Sequence, residues 1–216
     1  MFKNKRYLIL IGIIVLGILG YSIIGTKDKE SPKFAVTEQP KIPTPESYKV
    51  TMARLRYAKD LSLKEGKESP IEDRKAFKGL HYYDTDTNYC ILTVFEKLTN
   101  VPAIKVALSG GEKEEYQPIG KAHFMLEGQL LTLTVFKSPE EGSFFIPFND
   151  TTNPAETYGG GRFLDVPTTN LKRDKLLIDF NTAYNPFCAY NHTYTCPIPP
   201  KENKLAVSVR AGEKNF

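Results

Sequence analysis

The sequence predicts a mainly β, α+β fold: an antiparallel β-sandwich or partly open barrel, with one or two N-terminal helices packed on it and one transmembrane helix ahead of it. Three observations carry this expectation. An uncharged apolar run, Tyr7–Ile24, stands near the N-terminus. Helix-start signals follow at Thr44-Pro45 and Ser69-Pro70. From Tyr89 onward, short apolar runs alternate with Gly-containing turns, the pattern of an all-antiparallel sheet.

The apolar run holds 18 residues without a charge. At about 1.5 Å per residue it spans roughly 27 Å, close to the hydrocarbon thickness of a bilayer. A helix is the form that satisfies its own backbone there. Residues 1–25 therefore read as a transmembrane anchor, with a cleaved signal peptide as the competitor. The positive-inside bias is weak, because Lys3, Lys5 and Arg6 precede the run while Lys27, Lys29 and Lys33 follow it. The expected topology is single-pass, with the C-terminal domain outside the cytoplasm and the lipid bilayer as partner through Tyr7–Ile24. Residues 26–43 are polar, contain proline and lack periodicity, and read as a flexible linker. Residues 44–216 read as a single strand-rich globular domain.

Within that domain, Thr44 is a good N-cap and Pro45 suits the first helical position. Tyr48, Met52, Leu55 and Ala58 then follow at helical spacing. Ser69-Pro70-Ile71-Glu72 reads as a capping box for a second short helix. Strands are expected at Tyr89–Phe95, Ala103–Leu108, Glu114–Ile119, His123–Leu126, Gln129–Phe136, Ser143–Phe148, Lys175–Phe180 and Leu205–Val209. Ser109-Gly110-Gly111-Glu112 and Glu127-Gly128 are the hairpin turns between the second and third and between the fourth and fifth of these.

Charge narrows the function classes. Three of the 29 basic residues lie before the apolar run, and the remaining 26 face 25 acidic ones. A nearly neutral domain lacks the basic face that nucleic-acid binding needs, so no nucleic acid is expected. The sequence has no G-x-S-x-G, H-E-x-x-H or C-x-x-C pattern.

Between Asn149 and Glu213 the chain departs from generic strand and turn. It carries ETYGGGRFLD from Glu156, DFNTAYNPFCAY from Asp179, CPIPPKENKL from Cys196 and VRAGE from Val209. Upstream it has FKGLHYYD and GKAHFMLEGQLLTLTVF. In words and order these segments resemble the bacterial and archaeal family known as domain of unknown function 1684, over roughly residues 46–216. The resemblance implies one intact domain and brings no assigned catalytic residues or cofactor.

The motif residues supply the candidate site. Tyr158, Gly159, Gly160, Gly161 and Arg162 read as a backbone cradle for an anion with a planar cationic fork beside it, or as a tight loop needing positive φ. Asp165 and Asp179 end apolar runs, and with Glu202 they offer carboxylates for acid–base work, or partners for Arg162 and Arg210. Asn181, Tyr184, Asn185 and Asn203 lie in a Pro-rich excursion that reads as an ordered loop, a pocket wall or simply a backbone-satisfying segment. Cys188 and Cys196 bracket seven residues, with a disulfide as the natural reading outside the cytoplasm. Paired free thiols, or half a zinc site with His192, are the alternatives, and no metal is assigned. Three functions stand at this point: binding of a small polar or anionic ligand, a carboxylate-based hydrolase, and an envelope structural or interaction protein.

Overall fold

The computed structural model describes residues 44–216. Among these, no helix is long and apolar enough to cross a membrane. The expected Tyr7–Ile24 span and the 26–43 linker lie outside the described residues.

Helix α1 runs over Pro45–Glu65, with Thr44 extended as its N-cap and proline in its first turn. It buries Tyr48, Met52 and Leu63, while Leu55 is half-buried. Gly66 ends it, its N–H reaching the Ser62 carbonyl at 2.8 Å. The second helix expected at Ser69 is absent; the segment is a series of turns. The Ser69 hydroxyl does not serve a capping box: it donates to the Leu63 carbonyl and accepts from Ile71 N–H at 3.1 Å. Ile71 and Phe77 then bury against Leu63. Six residues apart, these two apolar anchors would fall on different faces of a helix, so an irregular path buries both.

Nine strands follow: β1 Cys90–Lys97, β2 Ile104–Ala107, β3 Lys113–Tyr116, β4 Pro118–Leu126, β5 Gln129–Lys137, β6 Ser143–Phe148, β7 Arg162–Pro167, β8 Leu171–Lys172 and β9 Lys175–Asp179. Seven form one antiparallel sheet in the order β7-β6-β5-β4-β1-β9-β8, and β2 and β3 form a separate hairpin. The sheet curls until β9 touches β7. Just after β9, Tyr184 bridges Phe163 of β7 through reciprocal backbone bonds of 2.9 and 3.0 Å. The fold is thus mainly β, a nearly closed antiparallel barrel-like sheet with one helix, which favours the barrel over the sandwich.

Alternation along the strands sorts the side chains. Ala122, Phe124, Leu131, Leu133, Val135, Ile146, Phe148, Leu164, Leu176 and Ile178 belong to the main core. Leu205, Val207, Val209 and Ala211 fill the same core. The segment 205–209 has the alternating burial of a strand but no ladder, contrary to the expected strand there. Phe136, Phe145 and Phe163 alternate to the opposite face, where they pack with Val106 and Tyr116 of the hairpin and with Cys188 and Cys196. A covered outer face explains why β6 and β7 are apolar on both sides.

Candidate functional site

Arg162, the residue expected to grip an anion, is fully buried. It pairs across β6 and β7 with Phe148, so its side chain enters the main core. There Nη2 donates to Asp150 Oδ2 at 2.6 Å and to the Val209 carbonyl at 2.8 Å, while Nη1 donates to the carbonyls of Ala211 at 2.5 Å and Glu213 at 3.2 Å. The guanidinium thereby replaces the ladder that 205–213 lacks. Both terminal nitrogens are committed inside the protein, so the Gly-Gly-Gly-Arg stretch presents no cationic fork to solvent. Of the three glycines, Gly161 has φ of +91°. A Cβ there would stand 2.6 Å from Pro199 Cγ and 2.8 Å from the Phe148 carbonyl oxygen. Gly159 is exposed and Gly160 half-buried in the preceding turn.

The other motif residues divide into three groups. Some are internal fasteners. Asn203 is fully buried, donates to the carbonyls of Thr134 at 2.9 Å and Pro147 at 2.8 Å, and accepts from Thr134 N–H at 2.7 Å. Asn185 donates to Glu213 Oε2 through its backbone and to the Lys214 carbonyl through its amide, both at 2.8 Å. Arg210 and Glu202 are exposed; Arg210 forks onto Glu156 at 3.0–3.3 Å.

A second group meets α1 on the outside of the sheet. Lys59 of α1 pairs with the buried carboxylate of Glu213 and lies over the Tyr184 ring, 4.7 Å from its centre. Glu213 also accepts from Tyr190 Oη at 2.5 Å. Tyr184 Oη donates to Asp165 Oδ2 at 2.6 Å. Burial raises the Asp165 carboxyl above the usual carboxylate range, against the opposing pull of the Tyr184 bond and of Lys59. Glu140, in the turn between β5 and β6, is pushed up to about 7, first by burial and then by the Asp165 charge.

The third group builds a cleft. At the other end of α1, Tyr48 Oη donates to Asp179 Oδ2. Burial raises the Tyr48 hydroxyl well above its ordinary value, and the Asp179 charge adds to the effect. Asp179 also accepts from the backbone and side-chain amides of Asn181, each at 3.0 Å. Asn181 in turn grips Asp86 from both sides: its Nδ2 donates to the Asp86 carbonyl at 2.8 Å, and its Oδ1 accepts from Asp86 N–H at 3.0 Å. Between the first turn of α1 and the 85–87 loop lies an open cleft of about 210 Å3, lined by Pro45, Tyr48, Lys49, Thr85, Asp86 and Thr87. Asp179 fixes one wall and Asn181 the other. Thr44 makes no side-chain cap bond to α1; its hydroxyl engages Ser47 Oγ at 2.8 Å.

Cys188 and Cys196 are brought together but are free thiols, and the expected disulfide is not formed. Cys188 N–H reaches Cys196 Sγ at 3.1 Å, and Tyr158 Oη donates to Cys188 Sγ at 3.6 Å. Among the described residues, no group of three or more His, Cys, Asp or Glu is placed to hold a metal ion.

Sequence reasoning named Asp179 and Asn181 but missed the surfaces they position. Tyr48 and Lys59 carry the available signal: eleven residues apart, they share one face of α1. Glu140, in a Ser-Pro-Glu-Glu-Gly turn, offers none.

The structure defines a small barrel-like β domain with a helix across the seam between its ends and a polar cleft at that helix's first turn. The chain belongs to the family described as "Protein of unknown function (DUF1684)", whose model matches residues 75–214. It is similar to an uncharacterised protein of Haloarcula marismortui solved in solution by NMR. That likeness has a TM-score of 0.62 and 33% identity, covering 78% of this chain and 95% of the other. No curated protein matches it.

Proposed function

We propose that the chain is a membrane-anchored, extracytoplasmic domain that binds a small polar ligand in the cleft between α1 and the 85–87 loop. The observation that carries the reading is the cleft itself, with opposite walls held by Asp179 and Asn181. Its volume of about 210 Å3 falls below the roughly 300–1,000 Å3 of sites for drug-sized molecules. Lys49 and the amides of the first turn of α1 suit an anionic group on the ligand. Thr85, Thr87 and Asp86 suit its hydroxyls or amines. The uncharged run Tyr7–Ile24 supports the anchor, and the polar linker after it supports a domain held away from the bilayer.

Comparing native and denaturing mass spectra of the full-length chain tests the binding reading. A defined non-covalent mass is expected, and it is lost on Lys49→Ala combined with Thr87→Val. Retention of that mass by the double variant refutes the cleft as its site. So does a panel of small carboxylates, phosphates and amino acids that shifts no amide resonance at 45–49 or 85–87. Protease treatment of intact spheroplasts tests the topology: digestion of the domain is expected, and protection refutes it.

A carboxylate-based hydrolase is the second reading, favoured by Asp165 and Glu140, whose carboxyls are both held above their ordinary range. Such a pair offers a proton donor near neutral pH. Hydrolysis of an ester and glycoside panel that survives Asp165→Asn refutes it, as does no hydrolysis at all.

A further inference from the structure

The two thiols of the Pro-rich excursion are an independent feature. Cys188 and Cys196 are both buried beneath the β2–β3 hairpin, in one cluster with Phe136, Phe145 and Phe163. The segment carrying Cys196 is fastened to the hairpin. Cys196 N–H donates to Ser109 Oγ at 3.1 Å, Ser109 N–H to the Cys196 carbonyl at 2.9 Å, and Ile198 N–H to the Ala107 carbonyl at 2.8 Å. Tyr158, from the turn before β7, aims its hydroxyl at Cys188 Sγ. Three separate parts of the chain therefore converge on one pair of sulfurs.

The pair is chemically asymmetric. Cys188 Sγ accepts from the Cys196 thiol and from the Tyr158 hydroxyl, and these bonds lower its pKa against the opposing effect of burial. Cys196 moves the other way: its thiol donates to Cys188, and burial adds to the rise. A hydrogen-bonded thiolate beside a protonated thiol is the arrangement that attacks a disulfide and then resolves the product. Cys90 lies in β1, outside this cluster, where burial raises its thiol to about 12.

We propose that Cys188 and Cys196 form a thiol–disulfide exchange site for small disulfides, with Cys188 as the attacking sulfur and Cys196 as the resolving one. With oxidised glutathione as the reagent, Cys188 thiolate attacks one glutathione sulfur. The glutathione S–S bond breaks, one glutathione leaves as thiolate, and Cys188 carries a mixed disulfide. Cys196 then passes its proton to solvent and attacks Cys188 Sγ, which releases the second glutathione thiolate. Two electrons pass from the protein dithiol to the reagent, which ends as two reduced glutathiones. The product disulfide ties Cys188 directly to the segment held by Ser109 and so pins the Pro-rich excursion to the hairpin.

The test incubates reduced full-length chain with oxidised glutathione, quenches with acid, alkylates under denaturing conditions and maps peptides by mass. Expected is a cross-linked Cys188–Cys196 peptide with Cys90 alkylated. Cys196→Ser accumulates the glutathione adduct on Cys188, while Cys188→Ser leaves Cys196 largely unmodified. Tyr158→Phe, with an unchanged circular dichroism spectrum, moves the pH midpoint of the exchange rate upward and slows exchange several-fold at neutral pH. A purely structural Tyr158 would leave that midpoint unmoved. Two alkylatable thiols at Cys188 and Cys196 after oxidation overturn the proposal. A link through Cys90, or equal adduct formation on the two single variants, overturns it as well.

Discussion

Replacing Arg162 by lysine isolates what a guanidinium does that a charge alone does not. In the native fold two terminal nitrogens serve four acceptors: Asp150 and the carbonyls of Val209, Ala211 and Glu213. A single ammonium on a flexible stem keeps the charge opposite Asp150 but has no planar fork. At least one buried carbonyl then loses its donor, at about 1–3 kcal/mol each. Further loss comes from the poorer fit in a fully buried position. The expected destabilisation is about 3 kcal/mol, a large share of the roughly 5–15 kcal/mol available to a domain. Arg162→Ala goes further, because it strands the Asp150 carboxylate, a change costing about 3–5 kcal/mol by itself. Equilibrium urea unfolding of the detergent-solubilised full-length chain measures this, read by near-UV circular dichroism of its 12 tyrosines in the absence of tryptophan. Asp150→Asn and the double variant complete a cycle, and a coupling of more than about 1 kcal/mol is expected between residues in one network. A loss under about 1 kcal/mol for Arg162→Lys, or strict additivity in the cycle, would refute the view that Arg162 holds the 205–213 segment in place.

Other substitutions probe the same scaffold. Asn203→Ala leaves Thr134 N–H and the Thr134 and Pro147 carbonyls without their buried partner. A loss of about 2–4 kcal/mol in the same urea assay is expected, and a neutral result contradicts the fastening role. Gly161→Ala forces a Cβ into a left-handed conformation against Pro199 and the Phe148 carbonyl, costing about 1–3 kcal/mol. Gly159→Ala meets only Pro154 Cβ at 3.1 Å and is expected to stay within about 0.5 kcal/mol; thermal melts of the pair should separate clearly. Glu140 is raised from an ordinary 4.5 to about 7, so between those values the folded protein holds more protons than the unfolded chain. Its contribution is present at the acid end of that window and falls as pH rises through it. Glu140→Gln should flatten the decline in melting temperature over that window, and an unchanged slope would show that Glu140 does not cause it.

The parts of the fold set by local chemistry were legible in the sequence. Glu127 and Gly128 both take positive φ, as a two-residue hairpin turn between β4 and β5 requires. The start of α1 and the hairpin at Gly110-Gly111 follow from equally local signals. Failures occur where a distant group overrides the local pattern. Leu205–Val209 has strand periodicity, but its neighbours are the 149–151 backbone and the Arg162 fork rather than a strand. Ser69 resembles a cap, but its hydroxyl turns the chain back onto α1. Strand β7 was hidden by the motif that overlaps it, since Arg162 and Asp165 interrupt an otherwise apolar run and point to opposite faces. The same reason divides the candidate site. A buried Asn or Arg that satisfies backbone looks, in sequence, like one that binds a ligand. Asp179 and Asn181 could be named, but the cleft they frame depends on α1 and the 85–87 loop, more than 90 residues earlier.

The filling of the barrel's interior by residues 205–211 has a consequence for synthesis. These residues follow every strand of the sheet in the chain, so a ribosome completes the wall before it makes the contents. Until then the inward faces of β4 to β7 have no apolar partner from this segment, and Asp150 and Arg162 await the backbone they will hold. Such a nascent chain exposes sticky surface late in translation, when chaperones are most needed. The final turn of the chain inward acts as a keystone, locking together strands that were laid down first.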